Sequence, residues 1–462
     1  MTWFHAPDFW LARLIIQRGL GAIYFIAFLV ALDQFRPLLG DRGLLPVKEF
    51  VAFVPFKKAP SIFHFHYSDR MLVVVSLVGM ALSLAIVAGL PDRWPVWVVI
   101  ATWLVVWALY LSIVNVGQVF YGFGWESLLL EAGFLAAFLG PAWSAVPTPL
   151  IIAFRWLLFR VELGAGLIKM RGDPCWKDLT CLYYHHETQP MPNPLSWFFH
   201  RLPKPLHRCE VAGSHVAQLV LPPLLFFPQP IAGIAGAGMA ITQAWLILSG
   251  NFSWLNWVTI LLTASAIPIA HANGVVVPAH DGVVVALSLL VVVLSYKPAM
   301  NLLSKRQAMN RSFDPLHLVN TYGAFGSITR SRYEIAIEGS NDDENWIEYE
   351  FRGKPTDPKK MPRQWAPYHL RLDWQMWFTA LRPAAELEWL VPFVEKLLVN
   401  DPATLRLLWK NPFPDHPPRA IRAQVYRYRF TSWRERKRTG AFWTRREIGD
   451  ILPPMSLRDD QG

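Results

Sequence analysis

Three groups of side chains in this sequence could do chemistry. Cys175 and Cys181 stand six residues apart, just beyond a long apolar stretch. That spacing is not the C-x-x-C of a dithiol oxidoreductase. Two reduced structural thiols, a plain disulfide, or a redox-active pair tuned by Lys177 or Arg171 are the open alternatives. His185, His186 and Glu187 follow. Adjacent histidines point differently on most backbones, so they rarely reach one ion, and hydrogen bonding within a packed loop is the plainer reading; no metal and no cofactor are expected. The third group is Glu126, Glu131, Arg155, Arg160, Glu162 and Lys169, which fall in or beside apolar stretches. Charges there are costly unless paired or facing a water-filled cavity. They make either an ion-pair network between two spans or an active site in which Lys169, at the end of a span, serves as general base.

The elements that position these residues are set by an uneven charge distribution. Charged residues are 17% of the chain, against about 25% in an average soluble domain. Residues 1–296 carry 31 of the 78, and between Cys209 and Lys297 only Glu210 and Asp281 are charged. Such a stretch excludes a cytosolic enzyme, a secreted protein and a disordered chain, and defines a membrane domain over 1–296. Apolar stretches near 11–32, 71–90, 94–114, 125–140, 148–169, 210–227, 230–249, 253–270 and 280–296 predict about nine α-helical spans. The first is too long for a cleavable signal peptide and has no clear cleavage site. Polar loops 33–70 and 170–209 follow spans one and five, and the C-terminal region follows span nine. By this count all three share one side of the membrane. Their six and five Lys/Arg put that side in the cytoplasm by the positive-inside rule.

Residues 297–462 read as a soluble, β-rich, sandwich-like domain with inserted helices. Arg332–Glu338 alternates with period two, Gly339–Asn345 is turn chemistry and Trp346–Phe351 is a second strand, which together make a hairpin. Ala423–Thr431 alternates again, with Tyr426, Tyr428 and Phe430 on one face. Ala385–Asn400 has helical spacing of leucine and valine. The net charge of +10 includes no nucleic-acid-binding module, and the Arg434–Arg438 run is a solvated turn or a contact for anionic headgroups. Many of the 22 tryptophans, among them Trp94, Trp97, Trp125, Trp197 and Trp254, lie near span ends, where indoles suit the headgroup region. Trp197–Phe199 could mark an interfacial helix. Asn251 and Asn310 begin glycosylation sequons that are expected to go unused.

The densest polar segment runs Arg171-Gly172-Asp173-Pro174-Cys175-Trp176-Lys177-Asp178-Leu179-Thr180-Cys181 and on through His186-Glu187-Thr188-Gln189-Pro190-Met191-Pro192-Asn193-Pro194. It resembles the signature of the lipase maturation factor family. The resemblance continues at Gly250–Asn256, Tyr333–Gly339, Arg371–Phe378, Asn411–Asp415 and Tyr426–Thr431. It implies a multi-pass protein, here a bacterial-type member, that helps exported lipases fold. It places the chain in a bacterial inner membrane or the endoplasmic reticulum membrane, with its soluble regions on the periplasmic or lumenal side, against the basic-loop count. Arg171, Asp173, Cys175, Trp176, Asp178, Cys181, His186, Glu187 and Gln189 are then candidates for a client-facing loop. Asp373, Trp374 and Trp377 are candidates in the C-terminal domain. The implied partners are the lipid bilayer and an exported client such as a lipase, with no chemistry by the chain itself. The membrane region also distantly resembles the transmembrane domain of vitamin K-dependent carboxylase, in which a glycine-containing span ends near an amine. That likeness sustains the rival reading of a membrane-embedded enzyme acting on a hydrophobic substrate with Lys169 as base. A scaffold that binds partners through its C-terminal domain is the third reading.

Overall fold

A computed structural model describes residues 2–382 and 387–457. The N-terminal region is a helical bundle. Its helices are α1 (Trp10–Leu39), α2 (Asp69–Ala88), α3 (Val96–Asn115), α4 (Gly124–Ala137), α5 (Thr148–Arg171), α6 (Leu182–Thr188), α7 (Ser196–His200), α8 (Lys204–His215), α9 (Ile231–Ser249), α10 (Leu255–Thr263) and α11 (Pro278–Leu294). Among the described residues five helical stretches are long and apolar enough to cross a membrane: α1, α2, α3, α9, and α11 together with the helix Tyr296–Leu303 that follows it. The other four expected spans are helical but differ in kind. α4 has 14 residues and α10 has nine. α5 has 24 but carries five charges. The 210–227 stretch breaks at a π-helical turn, Val216–Val220, before Pro222 and Pro223, which lack the N–H that a continuing helix needs. Long apolar helices therefore account for five of the nine expected spans, and the other four stretches pack among them as shorter, broken or more highly charged helices.

Local chemistry sets the helix ends. The Ser68 hydroxyl accepts from the Met71 N–H at 3.2 Å to start α2, and Gly89, at φ +74°, ends it. α5 presents Gly164 and Gly166 to passing chain. A Cβ on Gly164 would meet the Tyr322 carbonyl, and one on Gly166 would meet Gln218 and Leu219.

One end of the bundle is closed by short loops. Arg13 donates to the Ser144 carbonyl at 2.8 Å, and His280 bonds the Phe138 carbonyl at 2.8 Å. Loop 33–70, the 170–209 segment and the C-terminal region gather at the other end. There Asn115 donates to the carbonyls of both Pro60 and Pro315, and Gln34, near the end of α1, donates to the His369 carbonyl at 2.7 Å.

The C-terminal region contains β1 (Arg332–Ser340), β2 (Ile347–Glu348), α12 (Arg371–Leu381), α13 (Leu387–Leu398), β3 (Ala420–Phe430) and β4 (Trp443–Met455). The strands form one antiparallel sheet in the order β2-β1-β3-β4. Among the described residues this single sheet, backed by helices, stands where a sandwich was expected. The hairpin exists, but β2 is two residues long because the chain departs at Glu350 to bridge Lys410. The expected alternation in β3 is present, with Tyr428 and Phe430 buried and Arg427 and Arg429 exposed. α13 falls within the expected 385–400 helix, whose first two positions lie outside the described residues. The buried apolar side chains of bundle and C-terminal region form one connected core that includes Leu128, Leu157, Trp254, Ile335, Trp374 and Phe393.

Candidate functional site: a knitted surface at one end of the bundle

The signature segment folds as short turns and the helix α6, anchored by its own polar groups. Asp173 accepts from the Cys175 N–H at 3.0 Å and from Arg330 at 2.8 Å. The Arg330 bond and the Cys175 N–H hold its carboxyl below the usual range. Cys175 and Cys181 are joined in a disulfide and both are buried. Of the three alternatives, this is the plain disulfide; redox-active cysteines need access that this pair lacks. The Trp176 indole donates to the Phe325 carbonyl at 2.9 Å. Arg171 donates to Gln307 and to the Leu302 carbonyl at 2.6 and 2.8 Å. Asp178 is exposed, as is Lys177.

The second half of the segment is held by the sheet domain. Arg332 at the start of β1 donates to the carbonyls of Glu187 and Pro190, each at 3.0 Å, and to that of Gln189. The Glu187 carboxylate accepts from the Phe430 N–H at 2.7 Å, and the Trp377 indole donates to the Thr188 carbonyl at 3.1 Å. Gln189 donates to Ser196 and to the carbonyls of His186 and Ser249. Burial raises the Glu187 carboxyl, and the Phe430 N–H opposes that shift. Burial also pushes the His185 imidazole down to about 3, so it packs as a neutral ring against Phe325.

Asn251 completes the seam. Its amide donates to the carbonyls of Pro192 and Arg363, and its oxygen accepts from the N–H groups of Trp365 and Ala366. Fully buried, it is no glycan acceptor.

Three tryptophans, Trp125, Trp197 and Trp254, depart from the headgroup reading because protein covers them. Trp197 is buried against Trp433 and Phe442 and donates to the Thr431 carbonyl at 3.0 Å. Trp254 donates to the Trp125 carbonyl at 3.0 Å inside the core. Trp94 and Trp97 are exposed, as headgroup anchors should be. Trp374 is buried against Trp125, their centroids 4.8 Å apart, so it belongs to the junction of the two regions. Asp373 accepts from the N–H groups of Gly353 and Lys354 at 2.6 and 3.0 Å.

The six bundle charges are satisfied in different ways. Glu131 and Arg160 form a buried ion pair joining α4 and α5, as expected. Glu131 also accepts from Tyr322 and Asn320, which bring down the strand-leading segment. Glu126 pairs across regions, accepting from Arg371 at 2.9 Å and from Tyr110. Arg155 finds backbone acceptors, the carbonyls of Ser265 and Leu225. Glu162 accepts from Gln243 at 2.7 Å. Lys169 donates to Gln218 and Ser214 at 2.9 and 3.2 Å, and its ammonium lies 4.4 Å from the Trp176 ring. The single network thus becomes one ion pair within the bundle, one ion pair to the C-terminal region, and hydrogen bonds. A cavity of about 800 Å³ opens at the opposite end, lined by Phe4, His5, Val146, Asp281 and Val285, and Lys169 is not part of its wall.

Arg332, Arg371 and Asn251 carry more of the assembly than most of the residues expected to. Arg371 and Asn251 lie inside the motifs quoted above, but their partners are too distant in sequence for spacing to reveal.

The arrangement defines a multi-helix membrane protein whose C-terminal antiparallel sheet domain and signature loop are built as one surface. Residues 11–274 match the lipase maturation factor transmembrane domain model, and 318–453 match the lipase maturation factor C-terminal domain model. The chain is 41% identical to lipase maturation factor 1 of Bos taurus and 40% identical to that of Homo sapiens. The alignments cover 99% and 98% of this chain and 91% and 89% of those proteins. It is 27% identical to lipase maturation factor 2 of Xenopus tropicalis, over 97% of this chain and 83% of that one. No solved structure matches. The chain belongs to the lipase maturation factor family. Both matching family models carry that name and neither is a carboxylase model, while these vertebrate relatives do not bear on the bacterial-type reading.

Proposed function

We propose that this chain is a membrane-bound maturation factor that helps exported lipases fold and assemble, acting by contact. The observation that carries the reading is full-length similarity to lipase maturation factor 1, through both the membrane and the C-terminal regions. The knitted end of the bundle is the client-facing surface. It offers exposed Lys177 and Asp178 on a loop made rigid by a disulfide and by the sheet domain. A rigid loop presents contact groups with little ordering cost on binding. The soluble face lies on the lumenal or periplasmic side: a disulfide there suits an oxidising compartment, and this outweighs the basic count of the loops. The enzyme reading draws no support from Lys169, whose amine is engaged by Gln218 and Ser214. Co-expressing a secreted lipase with this chain, in cells that lack their own factor, should raise the active fraction of the secreted lipase. An unchanged active fraction at normal membrane levels of the chain would overturn the proposal.

A further inference from the structure

We propose that His186, His207 and Glu210 form a zinc site that staples the signature loop to the bundle. His186 lies on α6, while His207 and Glu210 are three residues apart on one face of α8. One ligand atom from each of the three falls within 4.8 Å of the others. His207 Nδ1 is 2.9 Å from Glu210 Oε2, and His186 Nε2 is 3.8 Å from the same oxygen. Zinc bonds of about 2.0–2.2 Å to nitrogen and oxygen place tetrahedral ligands a little over 3 Å apart, so small side-chain shifts close the set around an ion.

A second observation points into the same space. His186 is 97% buried, from an exposure of 3%, and among the described residues neither of its ring nitrogens has a hydrogen-bond partner. Buried polar atoms are rarely left bare, and an imidazole with an unclaimed nitrogen facing another imidazole and a carboxylate is a metal ligand in waiting. Glu210 also has an outer support: the Trp245 indole, from α9, donates to its other oxygen, Oε1, at 2.9 Å. A donor held on the non-ligating oxygen is how metal-binding carboxylates are oriented. Two imidazoles and one carboxylate favour zinc over calcium or magnesium, which take oxygen ligands, and they leave a fourth position for water. Sequence spacing hid the site because His185 and Glu187, the neighbours of His186, turn elsewhere, to Phe325 and to the Phe430 N–H.

The full chain, purified in detergent and stripped with a chelator, is titrated with zinc chloride and its bound metal measured by elemental analysis. About one zinc per chain is expected. Binding is lost in His207→Ala and Glu210→Ala. It is retained in His271→Ala, an exposed histidine bonded to Asp8 at the other end of the bundle. Trp245→Phe, a half-exposed position, keeps the fold and weakens zinc binding by about 10–100-fold, which covers the case in which the ligand variants fail to fold. Wild-type chain that takes up no zinc, or zinc uptake equal in wild type and Trp245→Phe, overturns the proposal.

Discussion

Arg371, in the C-terminal region, donates to Glu126 of the bundle at 2.9 Å, and both side chains are fully buried. The same guanidinium donates to the Phe120 carbonyl at 2.7 Å and lies 3.3 Å from the centre of the Tyr121 ring. Five residues along α4, Glu131 takes Asn320 and Tyr322. One short helix thus fastens two downstream segments, and the sheet domain is seated on the bundle through charge as well as apolar area. A buried pair costs much to desolvate, so its removal in halves is worse than its absence. Arg371→Ala should destabilise the protein by about 3–5 kcal/mol in reversible unfolding, and Glu126→Gln/Arg371→Met should recover part of that loss. Equal stability of Arg371→Ala and wild type would remove the pair from its anchoring role.

The disulfide closes a short loop between buried residues. The loop-entropy relation gives about 2 kcal/mol for a bridge of this span. Cys175→Ser/Cys181→Ser should therefore lower unfolding stability by that amount, and lipase yield should fall only as far as the chain's own membrane level falls. Lost lipase activity with normal levels of the variant would instead mark the pair as a redox partner for the client.

His369 is enclosed by Phe123, Trp125, Trp254 and Trp374, and burial holds it neutral, its affinity for a proton far below that of a free imidazole. In the unfolded chain it takes up a proton near pH 6.5. The unfolded state then binds more protons, so stability is full above pH 6.5 and declines below it, by about 1.4 kcal/mol per pH unit for this one group. Melting temperature followed from pH 7.5 to 5 should show the decline, and His369→Gln should make it shallower, the remainder coming from other buried histidines such as His185. An equal slope in the variant would place the effect elsewhere.

Topology is open to a direct reading. Lys57, Asp178 and Lys437 lie in the three segments that meet at one end of the bundle. Accessibility reporters at these sites should respond alike, opposite to one in the Trp143–Val146 loop. A split among the first three would contradict the bundle described here.

How much of this was legible from sequence depended on whether the partner was near. The apolar stretches, the β1–β2 turn and the alternation in β3 are local patterns, and each has a structural counterpart. Apolarity alone does not separate a long helix from a short one buried by its neighbours, so the 14-residue α4 and the nine-residue α10 read like the longer helices. The same blindness put Trp125, Trp197 and Trp254 at the headgroups, although a second protein surface covers all three. A sandwich was expected because alternating strands imply a covered face. In the structure helices and the bundle cover it, not a second sheet. The ties of Glu126 to Arg371 and of Gln189 to Arg332 join residues so far apart that no spacing rule reaches them.

Maturation by contact and maturation through a catalytic base at Lys169 differ in which residues the activity depends on. The most direct test compares secreted lipase activity, normalised to membrane levels of the factor, for wild type, Lys169→Met, and Lys177→Glu/Asp178→Lys on the exposed loop. If the chain acts by contact, Lys169→Met should retain most of the wild-type activity and the charge-reversed loop should lose more. Loss of a general base costs about 10²–10⁴-fold. A fall of that size in Lys169→Met, with an unaffected loop variant, would make Lys169 a catalytic base and refute action by contact alone.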